Sequence, residues 1–335
     1  MKRRTLRQVT KASPGYFDAK RSAKIVNDRM SLNADSRLRS IMSALVEHVH
    51  AAIRETSVTT EEWAAAIQFL TDTGHMCSEW RQEFILLSDV LGISMLVDAT
   101  SRRRHASATE STVLGPFHVA EAARYANGAN ICLDAKGEPL VVRGTVRDPR
   151  GSPIAGAEID VWQSNSDGFY DVQQKGVQPE GNLRGIFTSD RNGAYWLKTV
   201  KPHYYEIPKD GPVGKLLQQL GRHPIRAAHI HFIVRAAGFE SVTTQVFDPD
   251  CPYLKEDAVF GVKRSLIGTF ERHDSPAEAA QLEIANPFWS LNWDFVLSPL
   301  ARDGAGATAK TRHLARSRGS GGRQTAASRR RGRGK

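Results

Sequence analysis

The chain has 335 residues, 40% hydrophobic and 24% charged, which is enough apolar material for one large domain or two ordinary ones. Its net charge of +10 suggests a polyanion partner, but residues 301–335 hold 11 of the 46 basic residues and one of the 36 acidic ones, so the rest of the chain is neutral. No run of about 18 apolar residues offers a membrane span, and no apolar segment follows Met1-Lys2-Arg3-Arg4 as a secretory signal requires.

In chain order, residues 1–25 read as a flexible leader, 26–112 as a helical domain, 113–300 as a β-sandwich and 301–335 as a disordered basic tail. Regular structure is expected near Asp35-Ser36, where Leu38, Ile41, Leu45, Val49 and Ile53 follow helical spacing. Thr59-Thr60-Glu61-Glu62 is a capping box for a second helix, with Trp63, Ile67 and Leu70 on its apolar face and Gly74 as its stop. A third helix is predicted from Ser78 through Phe84, Leu87 and Leu91 toward Val97. Three amphipathic helices with no sheet to cover imply a subdomain that docks on the rest of the chain or on a second copy. His48, His50 and His75 have no partner at ligand spacing and read as surface or packing residues.

From about Val113 the pattern changes to short strands and turns. Leu140–Val146, Ala157–Trp162 and Val242–Phe247 read as strands, and Ile186–Thr188 with Ala194–Leu197 reads as a hairpin across Asp190-Arg191-Asn192-Gly193. This spacing argues a β-sandwich, interrupted by one short helix at Val213–Leu220. Cys77, Cys132 and Cys251 lie far apart without CxxC spacing, which fits a reducing cytoplasm rather than a disulfide framework. The tail cannot bury enough apolar surface to fold; its Arg329-Arg330-Arg331-Gly332-Arg333 run offers only non-specific polyanion binding.

The chemistry gathers around Arg226-Ala227-Ala228-His229-Ile230-His231-Phe232-Ile233-Val234. On a strand, His229 and His231 aim at one spot while Ile230 and Phe232 pack on the other face. Two convergent imidazoles begin a metal site, though two hydrogen-bonded strand histidines give the same pattern. Tyr170 ends a polar loop after Asp160-Val161-Trp162-Gln163, and Tyr205 heads the proline-pinned Tyr205-Glu206-Ile207-Pro208-Lys209-Asp210-Gly211-Pro212. Either tyrosine is equally readable as a packing residue with a bonded hydroxyl.

Together these stretches resemble the intradiol ring-cleavage dioxygenases over roughly residues 30 to 300. The resemblance implies an α+β fold, a helical N-terminal dimerisation domain followed by a mixed β-sandwich. It implies one Fe(III) per chain on Tyr170, Tyr205, His229 and His231, with Arg226, Tyr205 and Gln245 in catalysis. The helical part is similar to that of the catechol-type branch, which implies a homodimer and a bound lipid at the helical interface. Arg81–Gly92, Leu114-Gly115-Pro116-Phe117 and Tyr170-Asp171-Val172-Gln173 look like the members that cleave hydroxyquinol (benzene-1,2,4-triol), although Leu114 stands where those usually carry Phe. Leu86, Asp89, Val113, Leu114, Gly115, Pro116, Phe117, Ile207, Pro208 and Arg226 are then the expected substrate wall, with the Asp89 carboxylate meeting the third hydroxyl. Cleavage with O2 between the vicinal hydroxylated carbons would give 3-hydroxy-cis,cis-muconate, the tautomer of maleylacetate. The alternatives are a catechol or chlorocatechol 1,2-dioxygenase giving cis,cis-muconates, and a metal-free or zinc-loaded β-sandwich binding module.

Overall fold

A short helix, α1 (Ser22–Asp28), begins inside the stretch expected to be leader. Tertiary contacts hold it, since seven residues cannot sustain a helix alone. Ile25 is buried, Ser22 Oγ lies 2.9 Å from His50 Nδ1, and Asn27 donates to the Ser43 carbonyl at 3.3 Å; both partners sit on α2 (Ser36–Thr56). Asp35 caps α2 by accepting the Leu38 N–H at 2.8 Å. The capping box of α3 (Thr60–His75) forms as expected: Thr59 Oγ1 accepts from the Glu62 N–H at 3.1 Å and Glu62 accepts from the Thr59 N–H at 2.8 Å. The structure is a computed structural model that describes residues 16–30, 35–78, 81–101 and 105–300; the basic tail and residues 1–15 of the expected leader lie outside them.

The single third helix expected from Ser78 is instead two, α4 (Glu83–Val90) and α5 (Ile93–Ser101), bent by 79°. The break is at Gly92, whose φ of +71° is left-handed and open only to a residue without Cβ at low cost. Apolar periodicity continues across the break, so hydrophobicity alone does not reveal it. Among the described residues no single helix is long and apolar enough to cross a membrane.

The rest of the chain supplies β1 (Pro139–Arg147), β2 (Glu158–Gln163), β3 (Arg184–Thr188), β4 (Ala194–Val200), β5 (Tyr205–Glu206), α6 (Pro212–Gln219), β6 (Ile225–Arg226), β7 (His229–Arg235), β8 (Val242–Phe247), β9 (Phe270–His273), α7 (Pro276–Leu282), β10 (Phe288–Asn292) and β11 (Phe295–Val296). Strand β1 centres the first sheet. Antiparallel β4 lies on one edge, and parallel β10 then β11 share the other, with β9 beyond β10. The second sheet is antiparallel in the order β3-β2-β7-β8. The hairpin expected from β3 to β4 is therefore not one. The Asp190–Gly193 turn forms, with the Gly193 N–H donating to the Asp190 carbonyl at 3.0 Å, but it carries the chain from one sheet to the other. A turn motif specifies a reversal; it does not specify which strands pair.

Alternation along β7 sets the layers. Ile230, Phe232 and Val234 enter the inter-sheet core with Leu140, Val142 and Val146 of β1 and Phe295 of β11. His229, His231 and Ile233 point outward, where Trp162, Tyr170, Tyr205, Ile207, Val90 and two residues of α6, Val213 and Leu217, form a second apolar cluster around Ile233. The functional residues sit on this outer face, beneath α4 and α6.

Candidate active site

Cross-strand neighbours fix the histidine pair. His231 lies opposite Trp162 of β2 and Gln245 of β8, and His229 lies opposite Phe247. The indole of Trp162 stacks on the His231 ring at 4.5 Å between centroids and 9° between planes. His229 Nδ1 lies 2.5 Å from the Ala227 carbonyl, so Nδ1–H donates there and Nε2 keeps its lone pair. That Nε2 is 3.0 Å from Nε2 of His231. Burial, then the nearby Arg226 charge, push His229 down to about 3; burial and the neighbouring His229 lower His231 likewise. Both imidazoles are neutral at physiological pH, the form that binds a cation.

Two phenols complete the group. Tyr170 leaves the polar loop after β2, and Tyr205 is the first residue of β5, in register with Arg226 on β6. Ring centroids are 5.3 Å apart for Tyr170 and Tyr205, 5.7 Å for Tyr205 and His229, 6.1 Å for Tyr170 and His231, and 4.6 Å for the two histidines. Both tyrosine hydroxyls are buried without a hydrogen-bond partner among the described residues. Leaving a buried hydroxyl unpaired costs about 1–3 kcal/mol, and two side by side need a shared reason. Burial, then the adjacent Tyr205 phenol, push the Tyr170 hydroxyl up, while Arg226 and Arg184 pull it down. Among the described residues no three His, Cys, Asp or Glu side chains converge; the donors are two phenol oxygens and two imidazoles. Hard phenolate with borderline imidazole suits Fe(III), and two unpartnered buried phenol oxygens with their rings 5.7 and 6.1 Å from neutral imidazoles fit such an ion.

Arg226 lies beside this group, its guanidinium 3.4 Å from His229 Nε2. Asp257 accepts from Arg226 Nε at 3.3 Å and from the N–H groups of Ala227 and Gly261 at 3.0 and 2.7 Å. Gln245 Oε1 accepts from Arg226 at 2.8 Å, while Gln245 Nε2 donates to the Val113 carbonyl at 2.8 Å. Burial alone would lower the Arg226 group; Asp257 and the two phenols outweigh it and hold it higher. A cation locked by two acceptors is a fixed electrostatic element, and Gln245 ties it to the loop through Val113.

The "Dioxygenase" family matches residues 113–299 and "Catechol dioxygenase N terminus" matches residues 35–109. The hydroxyquinol 1,2-dioxygenase of Rhizobium sp. is 54% identical over 290 residues, covering 86% of this chain and 98% of that protein. The chain belongs to the intradiol ring-cleavage dioxygenases. The 6-chlorohydroxyquinol 1,2-dioxygenase of Cupriavidus pinatubonensis is 44% identical over 84% of this chain and 98% of its own length. A crystal structure of hydroxyquinol 1,2-dioxygenase from Pseudomonas putida superposes with a TM-score of 0.79 at 41% identity, over 84% of this chain and 98% of that one.

In this dioxygenase the expected wall residues separate into two groups. Leu86 on α4, Val113, Phe117 and Ile207 pack into the cluster around the tyrosines, and Phe117 stacks on Tyr170 at 4.6 Å. Gly115, at φ +74°, approaches the His231 ring so closely that a Cβ there would stand 3.3 Å from Cε1. Leu114 and Pro116 are exposed and Pro208 is half-buried, so these three face the rim rather than the ring cluster. Asp89 is buried on α4; burial pushes its carboxyl up, against the Ser94 hydroxyl and the Arg226 charge. It does not point to solvent.

Several supporting residues have no mark in the sequence reading. Asp257 sits in an acidic stretch, Lys255-Glu256-Asp257, where one carboxylate looks like another. His118 Nε2 lies 2.8 Å from Asp160 and its ring stands edge-on to Trp162 at 4.7 Å, backing the indole that backs His231. Its position directly after Leu114-Gly115-Pro116-Phe117 was the available signal. Arg184 and Asp171 form a buried pair beneath Tyr170.

Proposed function

We propose that this dioxygenase cleaves hydroxyquinol with O2 between its vicinal hydroxylated carbons, giving 3-hydroxy-cis,cis-muconate, with one ferric ion per chain on Tyr170, Tyr205, His229 and His231. The observation that carries the metal reading is the pair of buried, unpartnered phenol hydroxyls beside two neutral imidazoles 3.0 Å apart. The choice of hydroxyquinol rests on the 54% identity to an enzyme of that name. A ferric ion held by Tyr170, Tyr205, His229 and His231 would supply Lewis-acid chemistry to a vicinal diol.

The chain's own residues do the rest. The Tyr205 phenolate oxygen takes one of the substrate's hydroxyl protons, and Tyr170 keeps its place. Arg226, held by Asp257 and Gln245, presents its charge to the negative charge that grows on the ring. Phe117, Ile207, Leu86 and Val113 give a flat, water-poor slot for an aromatic ring. Asp89 accepts from the third hydroxyl, which catechol lacks. The exposed apolar faces of α2 and α3 form the contact of a homodimer that also holds a lipid, and three free cysteines fit a reducing cytoplasm.

The deciding experiment is iron analysis and a visible spectrum of the purified protein. A tyrosinate-to-Fe(III) charge-transfer band is expected, wine-red at high concentration, and anaerobic hydroxyquinol should shift it. A colourless zinc-loaded or metal-free protein without ring-cleavage activity removes the reading in favour of a binding module. His229→Ala and His231→Ala should each lose iron and colour; full iron occupancy in either one breaks the ligand assignment. Relative kcat/KM on hydroxyquinol, catechol and chlorocatechol fixes the substrate, and a preference for plain catechol overturns the triol.

A further inference from the structure

The two tyrosines are not held alike. Tyr205 begins a two-residue strand whose one ladder partner among the described residues is β6, and the Lys209–Glu206 pair beside it lies on the surface. Tyr170 is followed at once by Asp171, whose carboxylate is buried against Arg184. Arg184 Nε lies 3.0 Å from each Asp171 oxygen, and one terminal nitrogen also bonds Oδ1. The other terminal nitrogen donates to the Phe117 carbonyl at 3.1 Å. Asp171 Oδ2 accepts a further bond from the Gly181 N–H at 3.1 Å. Arg184 itself is fixed at the start of β3, opposite Trp162 of β2. One guanidinium thus ties two things to the sheet, the backbone that carries Tyr170 and the loop that carries Phe117, from a residue in register with Trp162.

We propose that Arg184 and Asp171 are a positioning pair that locks the Tyr170 phenol and registers the Phe117 ring over it; this rests on the iron reading above. A planar fork bonded to a carboxylate on one side and a carbonyl on the other leaves neither segment free to slide. Both charged groups are buried, so removing one leaves the other uncompensated. The pair touches neither substrate nor reacting atoms. It acts through Tyr170 and Phe117, which stack at 4.6 Å. Tyr170 is braced through the residue that follows it, whereas the strand opposite Tyr205 carries Arg226, buried against Asp257.

The test compares full-length wild type with Arg184→Lys, Arg184→Met and Asp171→Asn, each purified and loaded with ferrous iron in air. Readouts are circular dichroism for folding, iron content, the position and intensity of the visible band, and KM and kcat separately. Supporting partners of a metal site typically contribute about 10- to 100-fold in metal affinity or activity. Arg184→Met and Asp171→Asn should therefore show a shifted or weakened band and about a 10- to 100-fold loss of kcat/KM while the fold is kept. Lysine keeps the charge but not the fork, so Arg184→Lys should fall between these variants and wild type. Folded variants that bind iron with an unchanged band and unchanged KM overturn the positioning role. Failure of all three to fold overturns it too, by making the pair a folding element. A wild-type protein with neither iron nor band overturns the metal reading, and this inference with it; a coloured wild type beside equally coloured variants overturns this inference alone.

Discussion

The sandwich and the helical part of this protein are incomplete in opposite ways. In the sandwich, buried charged groups are paired: Arg226 with Asp257, Arg184 with Asp171, and Asp248 with the half-buried Lys201. Among the described residues, its buried donors without a partner include two phenol hydroxyls beside two imidazoles, together with the indole N–H groups of Trp162 and Trp293 and the Thr244 hydroxyl. In the helical part a set of large apolar side chains is left uncovered. Leu38, Ile41, Leu45, Val49 and Ile53 on α2, and Trp63, Ile67 and Leu70 on α3, are each 44–56% exposed. Phenol oxygens beside imidazoles suit a cation once the phenols lose their protons, and uncovered apolar stripes call for another apolar surface. Each half is read by asking what physical partner its leftover groups need.

The largest expected effect lies in the helical half. In the proposed homodimer, Leu45→Glu with Val49→Glu would place four carboxylates across a two-fold contact, each costing several kcal/mol if buried unpaired. Sedimentation should show wild type as a dimer at micromolar concentration and the double variant as a monomer. A wild-type monomer, or a variant that stays dimeric, breaks the reading of the α2 stripe. Next is Arg226→Ala in the sandwich. Losing one preorganised electrostatic contact typically costs about 10²–10³ in kcat. Iron content should stay near one per chain, because Arg226 is not a ligand. If iron falls in step with activity, Arg226 acts through the metal's binding and not on the substrate.

The two halves also differ in how legible they were. The capping box of α3 and the outward pair on β7 follow from rules spanning four residues or fewer, and both appear where those rules put them. Tyr170, Tyr205, His229, His231, Arg226 and Gln245 come together from four separate segments, and only the resemblance to a family linked them beforehand. What escaped is set by tertiary contact. Helix α1 exists because Ser22 and Asn27 meet α2. The turn at Asp190–Gly193 crosses between sheets because β1 and β2, distant in sequence, claim β4 and β3 as partners. Asp257 and Arg184 matter through what they touch, and no local pattern announces that.

A smaller effect should come from Asp89→Ala. A hydrogen bond to a charged acceptor is worth about 1.5–3 kcal/mol, or about one to two decades at 1.4 kcal/mol per decade. The loss should appear in kcat/KM for hydroxyquinol and much less for catechol, which has no third hydroxyl to offer. The burial of Asp89 near Arg226 places its carboxylate on the site's side of α4. An equal loss on both diols would make it a general support of Arg226; no loss on either would end its role in specificity.

The smallest predicted change separates local from tertiary stability. Thr59→Ala removes the hydroxyl that accepts the Glu62 N–H at 3.1 Å, and with it half of the reciprocal box. Such a cap is worth about 1 kcal/mol, within a range of about 0.5–2. Thr59 is exposed, at the start of a helix that reaches toward the site further along, where Phe69 packs against the cluster around the tyrosines and α3 meets α4 and α6. The cost should therefore appear in urea melts as a lower midpoint with an unchanged slope, and kcat on hydroxyquinol should not move. Thr59→Ser, which keeps the accepting oxygen, should restore most of the loss. If Thr59→Ala instead lowers kcat while stability holds, α3 is coupled to the chemistry through α4, and the division between a locally built helical half and a tertiary catalytic half fails there.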